Sequence, residues 1–184
     1  WIEQDSNMAG AEALVRQFLY GNRFFRKEFG VHTRTAWLPE ASGYPWSLPQ
    51  IMRKCQVDTF VTTKIDWSMF TKFPYSMFNW QGADGTQIYA VMPPLNYNGN
   101  PVPKDCIDQW KLFKQKHLIE ELPFPFGWGD GGGGPTMEQL EHGKRLPPQM
   151  RAGGISRVEG EEEAEISQIR LENRQAPQVV RSVS

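Results

Sequence analysis

The segment from Trp37 to Ile51, WLPEASGYPWSLPQI, limits the fold more than any other part of this chain. A strand-like run ends at Trp37-Leu38-Pro39, and a carboxylate follows at Glu40. A glycine comes three residues later, at Gly43, and an apolar helical pattern begins beyond it. Strand, glycine turn and helix in that order belong to folds in which strands alternate with helices. A carboxylate where a strand runs out is also where α/β barrels place catalytic groups. Proline on one side and glycine on the other predict a fixed turn. The competing reading is an ordinary strand-to-helix turn with an exposed glutamate.

The alternation continues along the chain. Residues 10–29 carry a helical pattern in Ala13, Leu14, Phe18, Phe25 and Phe29, with Gly30 as its C-terminal cap. Residues 31–38 read as a strand, and 46–56 as a short helix with Leu48, Ile51, Met52 and Cys55 inward. Residues 58–65, rich in β-branched side chains, read as the next strand. Two apolar runs, around Phe78 to Trp80 and Thr86 to Met92, flank Gly82-Ala83-Asp84-Gly85, a hairpin signal. Residues 104–121 read as an amphipathic helix with Cys106, Ile107, Trp110, Phe113 and Leu118 on its apolar side, and Thr136 opens another helix. The expected class is α/β with parallel pairing and one inserted hairpin. From Pro147 the apolar residues thin out around a Glu-rich run. Residues 147–184 read as a disordered or poorly packed tail, with a short helix around 161–173 as an option.

Composition excludes more than it assigns. The 184 residues fit one domain, or a piece of a larger one. A net charge of -1 argues against nucleic acid and anionic membranes as partners. No apolar run is long enough to span a bilayer. The 7 Trp, 11 Phe and 5 Tyr suit the walls of a sugar-binding cleft, although such residues also fill cores. Cys55 and Cys106 lack metal-ligand spacing and form no disulfide framework, which fits a reducing compartment. His32, His117 and His142 are isolated, so a complete metal site cannot be written from this chain. The start at Trp1, without an initiator methionine, reads as a fragment.

Two further groups carry chemistry. In Gly127-Trp128-Gly129-Asp130-Gly131-Gly132-Gly133-Gly134-Pro135, six glycines surround one aspartate. Glycine lets a ligand approach the backbone closely, but the Lys-Ser/Thr ending of a phosphate loop is missing. A flexible linker is the alternative. As another strand-to-helix loop it would place Asp130 on the same rim as Glu40, and two carboxylates facing one cleft suit glycosidic cleavage. The polar residues Glu3, Asp5 and Asn7 follow Trp1 at alternate positions and would share one side of an extended segment. They read either as sugar-binding or supporting groups or as a solvated loop. Lys64 ends a strand and could reach the same rim; a surface lysine is the other reading.

Together these motifs resemble the catalytic domain of glycoside hydrolase family 38, the α-mannosidases, and within it the cytosolic and bacterial branch. WIEQDSN…AEALVRQFLYGNRFF is similar to the family's opening segment in register, and WLPEASGYPWSLPQI to its Trp-Leu-Pro-Asp segment. FNWQGADG, MPPLNYNG and FGWGDGGGGPT have counterparts in the same order. The resemblance covers residues 1–146 and implies part of a seven-stranded β/α barrel. The implied reaction is retaining hydrolysis of terminal α-mannosyl residues in mannosides and oligosaccharides, with a zinc ion holding sugar hydroxyls. It implies Glu40 as nucleophile and zinc ligand, with Asp130 as the acid/base candidate. Trp1, Asp5, Trp37, Tyr44, Tyr97 and Trp128 become the substrate-binding candidates. The implied compartment is the cytoplasm, and an oligomeric state of the intact protein stays open.

Three departures accompany the resemblance. Glu40 stands where the family has aspartate, and Ser42 where it has phenylalanine. The family's other zinc ligands come from an upstream His-x-Asp motif and a downstream Phe-His-Asp-type motif, neither of which occurs in this chain. The isolated chain is therefore expected to be inactive and not to hold zinc tightly. The alternative function is a non-catalytic carbohydrate-binding pseudoenzyme, with Trp1, Trp37, Trp46, Tyr97 and Trp128 as its aromatic cleft, or a gene remnant.

Overall fold

The computed structural model describes residues 1–95, 97–119, 121–129 and 133–147. The expected 161–173 helix and nearly all of the 147–184 tail lie outside the described residues. The described residues form two compact units, one of Trp1–Phe73 and Met77–Met92, the other of Pro74–Ser76 and the described residues within 93–147.

The first unit is α/β. Helix α1 spans Ala11–Phe29 and ends at Gly30 in the left-handed conformation (φ 68°), as the sequence predicts. Its buried stripe is Leu14, Gly21 and Asn22. Gly21 is required there, because a Cβ would come within 2.6 Å of the Trp1 backbone nitrogen. Phe25 and Phe29, members of the apolar helical pattern, are exposed and pack on each other. Four strands follow: β1 (Thr35–Trp37), β2 (Thr59–Val61), β3 (Met77–Gln81) and β4 (Gln87–Val91), with helix α2 (Leu48–Lys54) between β1 and β2. Helix α2 lies against α1 and β4. It buries Leu48, Ile51 and Met52, with Cys55 half-buried at its end.

The sheet order is β1-β2-β4-β3. The pairs β1–β2 and β2–β4 are parallel, and β3–β4 is antiparallel. Two expectations change here. The hairpin is not an appendage, because its second arm, β4, is an inner strand of the parallel sheet. The strands are also shorter than the β-branched runs suggest. Asn22 of α1 accepts from both Thr33 N–H (3.1 Å) and the Thr33 hydroxyl (2.5 Å), so the chain before Thr35 is bound to the helix and not to a ladder. The hairpin turn itself is as expected: Gly85 takes φ 83°, and Asp84 accepts from Thr86 N–H at 3.0 Å and from its hydroxyl at 2.8 Å. Phe60, Ala90, Leu48 and Met52 form the centre of the core, fully enclosed.

The second unit holds helix α3 (Pro103–Leu112) and helix α4 (Met137–Arg145). The expected 104–121 helix stops early. Ser76 takes over the chain beyond it, its hydroxyl accepting from Lys114 N–H (3.2 Å) and its own N–H donating to Gln115 Oε1 (2.8 Å). A 3-10 turn, Lys116–Leu118, follows. The buried face of α3 and the residue after it is Cys106, Gln109 and Phe113, while Ile107 is exposed. Gln109 is held there by donating to the Pro123 carbonyl at 2.6 Å. Helix α4 starts with a capping box: the Thr136 hydroxyl accepts from Gln139 N–H (3.1 Å), and Gln139 Oε1 accepts from Thr136 N–H (3.0 Å).

Candidate active site

Glu40 lies three residues beyond β1, at its C-terminal end, and the turn around it is held from two directions. The first hold comes from the end of β2, where three successive residues reach the turn. The Thr62 hydroxyl bonds to the Tyr44 hydroxyl (2.5 Å). The Thr63 hydroxyl and N–H both donate to the Pro39 carbonyl, at 2.7 and 3.2 Å. The Lys64 ammonium sits 3.5 Å from Glu40 Oε1. The second hold comes from the chain before α1. Glu3 Oε1 accepts the backbone N–H of Glu40 at 2.5 Å, and the Asn7 amide packs directly on Gly43. Gly43 has φ 104°, a conformation glycine adopts without a Cβ penalty, and the space a Cβ would take is filled by Asn7.

The polar residues at alternate positions thus separate by role. Glu3 and Asn7 support the Glu40 turn. Asp5 accepts from Asn7 N–H (3.1 Å) and Met8 N–H (3.2 Å), closing its own turn. Tyr44 also turns inward. Its hydroxyl donates to the Leu38 carbonyl at 3.1 Å, and its ring packs against Phe60 and Trp80. Burial pushes its phenol up to about 12, with the Thr62 hydrogen bond opposing. This geometry makes Tyr44 a brace for the turn.

Trp1 and Trp37 are exposed and line one cleft of about 410 Å³ together with Glu3, Gln17 and Asn22. Glu40 is not among the residues lining it, so Glu3 is the link between the aromatic cleft and the carboxylate. Trp46 faces elsewhere: its indole N–H donates to the Gln81 carbonyl (3.2 Å), tying α2's entry to the hairpin turn.

In the second unit the remaining two aromatic candidates meet the glycine-rich loop. The Tyr97 ring lies on Gly129, where a Cβ would come within 2.5 Å of it, and Trp128 packs on Gly133. Trp128 N–H donates to the Gly134 carbonyl at 3.3 Å, and Gly127 takes φ 130°. Asp130 lies outside the described residues.

The described residues around Glu40 do not by themselves make up a zinc site. Among the described residues no three His, Cys, Asp or Glu side chains converge on a point where a cation could be held, and zinc sites use three or four protein ligands. Beside Glu40 stand the carboxylate of Glu3, committed to a backbone N–H, and a cation, Lys64. His32 is engaged with Arg26 (3.2 Å) and the Gln56 carbonyl (3.3 Å).

Sequence reasoning left Lys64 undecided and passed over Thr62, Thr63 and Trp67. Its own rule could have found them, since all lie at or just beyond the C-terminal end of β2, neighbour of β1.

Comparison with known proteins gives a consistent answer. The model of the glycosyl hydrolases family 38 N-terminal domain matches residues 1–159. An α-mannosidase of Saccharomyces cerevisiae is 40% identical over 155 residues, covering 84% of this chain and 14% of that protein. α-Mannosidase G of Dictyostelium discoideum is 38% identical over 160 residues, covering 86% of this chain and 14% of that protein. Human α-mannosidase 2C1 is 38% identical over 160 residues, covering 86% and 15%. The chain therefore spans about a seventh of the length of these relatives. A solved α-mannosidase from Enterococcus faecalis V583 aligns with a TM-score of 0.47 at 22% identity, over 60% of this chain and 13% of that one.

Proposed function

The chain belongs to glycosyl hydrolase family 38, and from that membership we propose that it carries the nucleophile turn of an α-mannosidase. In this reading the Glu40 carboxylate attacks the anomeric carbon of a terminal α-mannosyl residue. The aglycone leaves with a proton from an acid, and Asp130 is our candidate for that acid. Water, deprotonated by the same residue, then cleaves the glycosyl ester, releasing mannose with retained configuration and regenerating Glu40. Substrates are α-mannosides and oligosaccharides, with Trp1 and Trp37 as sugar-stacking walls, and Tyr97 and Trp128 as further candidates. The observation that carries the reading is the two-sided hold on the Glu40 turn, since a solvated glutamate has no need of one.

We further infer that the four strands belong to a seven-stranded β/α barrel completed by the rest of a longer polypeptide, and that the 184 residues alone do not turn over substrate. Of the zinc ligands the reading calls for, this chain offers Glu40 alone, and no step is assigned to the metal. A cytoplasmic location fits the two cysteines, which are free. No described helix is long and apolar enough to cross a membrane.

The test is a chimera. Residues 1–146 replace the matching segment of the yeast α-mannosidase, and an aryl α-mannoside is assayed. The expected result is turnover that falls on the order of a thousandfold or more in Glu40→Gln. A folded chimera without turnover would overturn the reading. If that chimera still bound mannose by calorimetry, the pseudoenzyme would take its place.

A further inference from the structure

We propose that Lys64 is a positioning residue: its ammonium, braced on the indole of Trp67, fixes the direction in which the Glu40 carboxylate points. The inference deepens the reading above and rests on Glu40 as the nucleophile.

The geometry starts from the backbone. A 3-10 turn, Lys64–Asp66, follows β2, and Trp67 N–H donates back to the Lys64 carbonyl at 3.2 Å. The turn brings the Trp67 ring under the lysine of its own first residue, with Lys64 Nζ 4.0 Å from the ring centroid. At the other end, Lys64 N–H donates to the Thr62 hydroxyl at 3.2 Å, so the base of the side chain is fixed as well. The ammonium therefore sits between an indole face on one side and Glu40 Oε1, 3.5 Å away, on the other.

Two exposures show that this is not ordinary packing. The Lys64 side chain is only 15% exposed, although lysine ordinarily lies in water. Trp67 is 69% exposed, so it is not there to fill a core. What it does is offer a ring face to a cation. The Glu40 side chain is 42% exposed, and a pair that open adds little to stability. The effect of the pair is directional. The Glu3 hydrogen bond fixes the Glu40 backbone, and Lys64 fixes the carboxylate at the far end of three rotatable bonds. Displacing a reacting group by ~1 Å costs on the order of a hundredfold in rate, which makes direction the property to hold.

The experiment uses the 184-residue chain, carbon-13 labelled, observed by NMR. In the wild type the side-chain methylene protons of Lys64 are expected upfield, in the ring current of Trp67, and Trp67→Leu returns them to solvent positions. Lys64→Met, which keeps the stem packed on the ring, is expected to move the Glu40 carboxyl carbon resonance. Lys64→Arg restores it, while the thermal midpoint stays put. Lys64 protons at solvent positions in the wild type, or a Glu40 resonance indifferent to Lys64→Met, would overturn the proposal. If Lys64→Met does not fold, the Trp67→Leu and Lys64→Arg spectra decide. In an active chimera, Lys64→Met is expected to lower kcat about a hundredfold with KM changed much less, and Lys64→Arg to recover most of it. Equal loss in Met and Arg variants would count against positioning. Failure of the catalytic reading looks different: a folded, inactive chimera beside an intact Lys64 ring-current shift.

Discussion

The Glu40 turn in the first unit and the glycine-rich loop after Phe126 in the second are built by different means. The Glu40 turn is fixed by side chains. Glu3, Asn7, Thr62, Thr63 and Lys64 all converge on the stretch from Pro39 to Tyr44. The described part of the glycine-rich loop is organised by backbone, with Gly127 at positive φ and a main-chain bond from Trp128 to Gly134. The first arrangement determines one geometry several times over. The second determines a path for the chain, with the Tyr97 and Trp128 side chains filling the space that Cβ atoms at Gly129 and Gly133 would take.

That contrast can be broken at three points. The largest effect is expected at Tyr44, whose phenol titrates near 12 in the folded state and near 10 when unfolded. Between these values the unfolded chain releases the proton and the folded chain keeps it. The stabilising contribution is therefore whole below pH 10 and is lost as pH rises towards 12, up to about 2 kcal/mol once partial solvent exposure is allowed for. Urea denaturation across pH 9–12 should show this slope, and Tyr44→Phe should flatten it; an unchanged slope in the variant would place its origin elsewhere. Next is Gly43→Ala, where φ 104° is strained for alanine and Asn7 must move aside. A loss of about 1 kcal/mol, the lower end of what a strained backbone costs, is expected from the midpoint of the same titration. The smallest is Gly134→Ala in the glycine-rich loop. Nothing lies within 4 Å of the added methyl, so stability should stay within about 0.5 kcal/mol or rise slightly. If Gly134→Ala cost as much as Gly43→Ala, the contrast between the two regions would collapse.

The parts of this arrangement that were legible beforehand are the ones written locally. Gly30 ending α1, Asp84-Gly85 turning the hairpin and Thr136 opening α4 each act within a few residues, and each stands where the sequence puts it. The strand lengths were not legible, because Asn22, on a helix eleven residues earlier, binds Thr33. Nor was the end of α3, which Ser76 determines from nearly forty residues away. For the site, the order Trp-Leu-Pro-Glu-x-x-Gly marked the carboxylate, but its supports were ambiguous. Lys64 looks like any surface lysine until the β1–β2 pairing brings it beside Glu40. Tyr44 stands as a substrate-binding candidate by resemblance, and nothing local says that Thr62 will bond its hydroxyl.

The mixed sheet also sets an order of assembly. The β3–β4 hairpin pairs residues as near as Gln81 and Gln87, whereas the parallel pairs join Thr35 to Thr59 and Thr59 to Tyr89. Hairpins close within about 1–10 μs, and distant pairings wait on the closure of long loops. The hairpin is therefore expected to nucleate this unit, with both parallel pairs forming after it. Stopped-flow refolding would then show a destabilising change at Ala36 acting mainly on the unfolding rate and one at Ile88 slowing folding; the reverse pattern would contradict this order. Glu40 hangs from β1, which is held by one of these distant pairings, so its carboxylate takes its place only after the hairpin has formed.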